Sequence, residues 1–245
     1  MIRHGVMAGV VSALVLVSIA TVLAQSAQEA NSASEKGTQG AAAAVALLER
    51  GGALAQYARQ AESPAAMVAA VQMLRRARYQ DGYARVGSKS SEPIGKSAGA
   101  AEVKDSTPPP TLDTKVLLAE AREWARGNQS ILAVIAAEEK ATVAPLATLG
   151  SAQGPVVHKD RVAARSIDTY RLAFKGREVA RIVVLGDGDT DLDLQVFDEN
   201  GNEVGKDVDD TDQCVVSWTP KWSGTIVIKI MNLGRIYNNY VLMTN

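Results

Sequence analysis

Leu192, Leu194 and Val196 alternate with Asp191, Asp193 and Gln195 inside the stretch Gly186-Asp-Gly-Asp-Thr-Asp-Leu-Asp-Leu-Gln-Val-Phe-Asp-Glu-Asn-Gly-Asn202. A period of two apolar and polar residues is the pattern of a strand with one buried and one wet face. Asp198-Glu-Asn-Gly-Asn202 then carries an Asn-Gly pair, the strongest short-range signal for a tight hairpin turn. The hairpin sets Asp187 and Asp189 in the loop before the strand and a second acidic loop, Asp207 to Asp212, after the returning strand. Both loops are therefore expected at one end of a sheet. From Asp187 to Asp212 there are eleven carboxylates and a single cation, Lys206. So much like charge is costly unless it is spread into water or met by a bound cation.

Outward from this hairpin the same alternation recurs. Asp168-Thr-Tyr-Arg-Leu-Ala-Phe174 places Tyr170, Leu172 and Phe174 on one face. Val179 to Leu185, Cys214 to Trp218, Thr225 to Met231 and Asn239 to Thr244 follow, each bounded by turn residues. Seven or so short strands at turn spacings near ten residues predict an antiparallel β-sandwich from about Val162 to Asn245. The remainder reads differently. Ala41 to Ala61, Ala65 to Arg78, Lys115 to Arg126 and Gln129 to Ala141 have helical spacing of apolar residues, with Ser63-Pro64 and Asp113 as start signals. Gly51-Gly52 is expected to weaken the first helix and split it. Leu54 to Val71 lays over Leu118 to Ile135, the outline of a duplicated helical hairpin in a small four-helix arrangement.

The fold class expected is thus α + β in separate parts: a small α-helical unit over residues 41–141, then an antiparallel β-sandwich over 162–245. Residues 25–40 read as a disordered lead-in, 81–112 as a flexible insertion ending in Pro108-Pro109-Pro110, and 142–161 as a linker. At the front, Arg3 precedes the apolar run Val6 to Leu23, and Val22-Leu23-Ala24 resembles a cleavage site. That is the plan of a signal peptide cut after Ala24, so the protein is expected in the periplasm or secreted. An uncleaved anchor is the alternative, since roughly 18 apolar residues just span a bilayer. Once the signal is removed, no membrane association is expected.

Asp168-Thr-Tyr, Gly-Asp-Thr-Asp-Leu-Asp-Leu194, the Asp198-Glu-Asn-Gly-Asn202 turn, Trp218-Thr-Pro with Trp222 and Gly224, and Asn232 with Asn239-Tyr240 together resemble the bacterial pre-peptidase C-terminal domain. The resemblance covers about the last third of the chain. It implies a jelly-roll-like β-sandwich appended to exported proteins, often peptidases, with related sandwiches binding calcium and sometimes matrix or carbohydrate. The segment ahead of it reads as helices rather than as a peptidase, so a proteolytic role is not expected.

The chemistry on offer is narrow. Calcium takes six to eight oxygens from carboxylates, carbonyls and water, and Asp187, Asp189, Asp191, Asp193, Asp209, Asp210 and Asp212 are the candidate ligands. An EF-hand is excluded, because its glycine position falls on Leu192 and its twelfth position is Asp198. The competing explanation is that these residues make turn hydrogen bonds and guard a sheet edge by charge. No Cys/His cluster exists for zinc. His158 is the sole histidine after the leader, and Cys214, the only cysteine, reads as a buried strand residue. Net charge of −1 gives no pull toward nucleic acid, and Arg75, Arg76 and Arg78 read as a solvated face. Ser90 to Ser97 lacks the first glycine of a phosphate loop and the strand before it. The sequence therefore points to a non-catalytic binding or scaffolding protein with an unidentified protein or glycan partner outside the cytoplasm. An accessory domain or cryptic hydrolase using the acidic face, and a structural protein assembling through its helices, are the alternatives.

Overall fold

The computed structural model describes residues 29–77, 79–81, 89–95, 110–141 and 155–245. The expected signal peptide, Arg78 and most of the two expected connecting stretches lie outside them. Four helices come first: α1 (Ala42–Gln60), α2 (Pro64–Ala77), α3 (Thr114–Trp124) and α4 (Gln129–Lys140). Ten strands follow or interleave: β1 (Gln80–Asp81), β2 (Lys89–Pro93), β3 (Val156–Val162), β4 (Ser166–Phe174), β5 (Ala180–Leu185), β6 (Leu192–Phe197), β7 (Glu203–Asp207), β8 (Gln213–Trp218), β9 (Gly224–Asn232) and β10 (Asn238–Thr244). They form two five-stranded sheets, ordered β1-β3-β10-β5-β8 and β2-β4-β9-β6-β7. The pairings between these strands are antiparallel except β1 with β3. Helices in the first part and antiparallel sheets in the second match the expected fold class.

Helix ends follow from their caps. Asp113 accepts the Lys115 N–H at 2.9 Å and Ser63 Oγ accepts the Ala66 N–H at 3.3 Å. Asn128 likewise starts α4 by accepting the Ile131 N–H at 3.2 Å. Gly51-Gly52 does not split α1. A Cβ at Gly51 would come within 2.7 Å of Leu74 Cδ2, and one at Gly52 within 2.7 Å of Leu185 Cδ2. The two glycines are where α1 lies closest to α2 and to the sheet.

That contact explains how the parts join. Leu48, Met67, Leu74, Leu117 and Ile135 from the helices share one apolar core with Val157, Val183, Leu185, Val241 and Met243 from the first sheet. The alternate residues of the same strands, Ile182, Val184, Tyr240 and Leu242, enter a second core between the sheets with Tyr170, Leu194 and Ile228. Strands β5 and β10 are therefore buried on both faces, and their near-continuous apolar runs follow from that. Glu49 Oε2 receives Arg181 Nε at 3.1 Å across the same junction.

Several sequence-based boundaries need correction. Val156–Val162 is a strand rather than the end of a linker, because it pairs with β10 along its whole length. His158 therefore sits in that strand and is buried. Within the expected insertion, Gln80–Asp81 and Lys89–Pro93 pair with β3 and β4. The lead-in is tied down from Asn31 onward. Asn31 is buried, donates its N–H to Asp198 at 2.9 Å, and Thr38 bridges to Glu178. Arg75 is not a free surface cation. It reaches from α2 to the Glu138 carboxylate of α4 at 2.7 Å.

Candidate functional site

The β6–β7 hairpin delivers its two acidic loops to one rim, as the alternation of Leu192, Leu194 and Val196 predicts. Backbone bonds stitch them together: Gly186 N–H to Asp212 O at 2.9 Å and Leu192 N–H to Thr211 O at 3.1 Å, with the Gly188 N–H donating to the Asp212 carboxylate. Asp187, nearly buried, accepts the backbone and side-chain N–H groups of Asn239, each at 2.8 Å. Asn238 steadies the other flank by donating to Thr190 O at 3.1 Å. Asp209 Oδ1 caps its own turn, receiving the Thr211 N–H at 2.9 Å and hydroxyl at 2.6 Å.

Position divides the seven candidate carboxylates into two groups, those that line a cleft and those beyond it. Burial raises Asp191, and the negative charges of Asp210 and Asp209 raise it further. Burial likewise raises Asp193, with Asp191, Asp207 and Asp209 adding to it. Asp212 belongs to the other group: burial raises it, the Gly188 N–H pulls it down, and Asp187 raises it again. Asp187 and Asp189 stand with it beside a cleft. Mutual repulsion of this kind is relieved by a cation. Oδ1 of Asp191 is buried and has no hydrogen-bond partner. Yet among the described residues no three His, Cys, Asp or Glu side chains are grouped to hold a metal ion. The donor set for calcium is thus divided between the two groups rather than gathered in one shell.

The cleft has a volume of about 620 Å³ and separates the rim from the helical layer. Asp187, Asp189 and Asp212 form one wall, and Gln56, Arg59, Gln60, Glu120 and Trp124 form the other. Gln56 Nε2 bridges the walls by donating to Gly186 O at 2.7 Å. Arg59 is already matched, its guanidinium gripping both oxygens of Glu120 at 2.8 and 3.0 Å. Sequence reasoning missed the helical wall. Gln56, Arg59, Glu120 and Trp124 carry no shared motif and meet only because α1 and α3 dock beside the rim.

Asp198, counted with the acidic stretch, has a structural role. It is buried and accepts the Asn200 and Asn202 N–H groups at 2.9 Å each, as well as Asn31. Burial alone would raise it, but these donors hold it below the ordinary carboxylate range. Cys214 is buried in β8 and donates to Leu192 O at 2.9 Å; burial and the neighbouring aspartates push its thiol well up, so it is inert. Among the described residues no helix is long and apolar enough to cross a membrane.

No protein family matches the chain, and no curated protein does. Among solved structures it is similar to the pre-peptidase C-terminal domain of a collagenase from Bacillus anthracis. That likeness has 13% identity, covers 39% of this chain and 80% of that one, and has a TM-score of 0.24.

Proposed function

We propose that the chain is a non-catalytic binding module of the periplasm or cell exterior, and that its ligand is a basic segment of a partner protein. The leader read at Val6 to Leu23 supports the location. The observation that carries the ligand class is the cleft: Asp187, Asp189 and Asp212 on one wall, and Trp124 across from them. A lysine or arginine side chain entering there meets the Asp212 carboxylate and an aromatic face that attracts it. Asp212, held up by burial and by Asp187, gains most from such a neighbour. Calcium is the second reading, favoured by the buried, unpartnered Oδ1 of Asp191. It would be centred on Asp191, with water filling most of the remaining positions.

Calorimetric titration of the mature protein separates the two. A lysine- and arginine-rich peptide is expected to bind with an affinity that falls as salt rises. Asp187→Asn with Asp212→Asn should weaken it at least tenfold, whereas Asp191→Asn with Asp193→Asn should spare it. The calcium reading requires the converse: a calcium-dependent rise in melting temperature, reversed by chelator and lost in the second pair. A peptide affinity indifferent to Asp187 and Asp212 would remove the cleft from consideration.

A further inference from the structure

The second sheet ends in β7 at the acidic rim and in β2 at its far edge. All five residues of β2 are exposed, so it adds nothing to the apolar core. Its side-chain anchorage is polar and concentrated. Lys89 Nζ lies 2.9 Å from both Asp160 Oδ2 and Asp168 Oδ2, and Ser91 Oγ donates to Asp168 Oδ1 at 2.6 Å. Asp168 is only 1% exposed. Tyr240 donates to it at 2.8 Å and Tyr170 donates to Asp160 at 2.8 Å, with the two hydroxyls meeting between them. His158 Nε2 stands 3.2 Å from Asp160. Among the described residues, Lys89 is thus the cation shared by two carboxylates inside a ring of hydroxyls, and it comes from an otherwise superficial strand.

We infer that β2 is a latch on the edge of β4, keyed by Lys89, and that it keeps this edge from pairing with a second copy of the chain. An uncovered edge strand presents free N–H and C=O groups and is a template for another strand. β4 is nine residues long and strongly alternating, and β2 covers Ser166 to Tyr170 of it. The backbone bonds of β2 face water on its outer side and hold weakly by themselves. A buried carboxylate that loses its partner cation is a far larger penalty than a lost surface contact. The docking of β2 is therefore concentrated in one side chain. Pro93, at the end of the strand, offers no N–H to an incoming chain.

Hydrogen exchange and light scattering on the full chain test this. In Lys89→Met the amides of Ser90, Ser91 and Glu92 are expected to exchange at least tenfold faster, while those of β9 stay as in the wild type. The same variant should show a concentration-dependent mass that the wild type lacks. Lys89→Arg, which keeps the charge, should behave as wild type in both. If Lys89→Met does not fold, Lys89→Met with Asp168→Asn removes the unpaired charge along with its partner, and the same two readouts apply. Unchanged protection of β2 in the folded variant, or a mass that stays constant with concentration, overturns the latch.

Discussion

Asp191, Asp193 and Asp212 are held above the ordinary carboxylate range, whereas Asp198 is held below it and Asp160 is held at about 2. For Asp160, burial pulls upward, but the Lys89 ammonium, the Arg161 N–H and the Tyr170 hydroxyl outweigh it. The two sets act oppositely on stability. A carboxyl lowered by folding stabilises the protein above its unfolded pKa, and that contribution is lost as pH falls toward its folded value. A carboxyl raised by folding binds its proton more readily when folded. Its penalty is full at neutral pH and is lifted as pH falls toward the ordinary carboxylate value. The melting temperature should therefore rise as pH drops from about 7 toward about 5, then fall below about 4 as Asp160 and Asp198 take up protons. Asp191→Asn should raise the melting temperature by about 1–3 °C at pH 7 and low salt and flatten that rise, a modest effect because the rim is partly solvated. Scanning calorimetry at three pH values checks both. A variant no more stable than wild type at pH 7 would mean that these carboxylates do not strain the fold.

At the scale of elements, alternation made most of the sandwich readable. Leu192, Leu194 and Val196 are buried while Asp193 and Gln195 between them are not, and Ile226, Ile228 and Ile230 follow the same rule. The acidic rim was readable for the same reason, since turn chemistry fixed which loops share an end. What escaped was tertiary. Val156-Val-His-Lys-Asp-Arg-Val162 alternates poorly because its two faces serve different cores. Lys89-Ser-Ser-Glu-Pro93 has no apolar pattern because it is held by two carboxylates and a sheet edge. The Gly51-Gly52 pair misled because propensity penalises glycine in a helix, while packing demanded it. Gly51→Ala tests that balance. The extra methyl should gain about 1 kcal/mol of helix propensity and lose about 1–3 kcal/mol to overpacking against buried Leu74. The net effect expected by urea denaturation is destabilising; a clear gain in stability would mean that α1 and α2 have room to part.

For the whole molecule, the consequence of two cores sharing one sheet is mechanical unity. Val183, Leu185, Val241 and Met243 face the helices, and Ile182, Val184, Tyr240 and Leu242 face the second sheet, on the same two strands. Removing the helices would expose an apolar sheet face, and removing the sheet would leave α1 without its seat, so neither part has a complete core alone. The cleft inherits this, because one wall is helical and the other belongs to the rim. Arg181 with Glu49 and Gln56 with Gly186 are its polar ties. Leu185 occupies the centre of the junction, fully buried and under Gly52. Leu185→Ala is expected to cost about 2–5 kcal/mol through the cavity it leaves. Because the sheet is shared, helix loss followed by circular dichroism at 222 nm and sandwich loss followed by fluorescence of Trp218 and Trp222 in a Trp124→Phe background should shift together and keep one midpoint. Two separated transitions, with the helices melting first and the sandwich fluorescence unmoved, would show that the layers fold apart and that the cleft walls are held by surface ties alone.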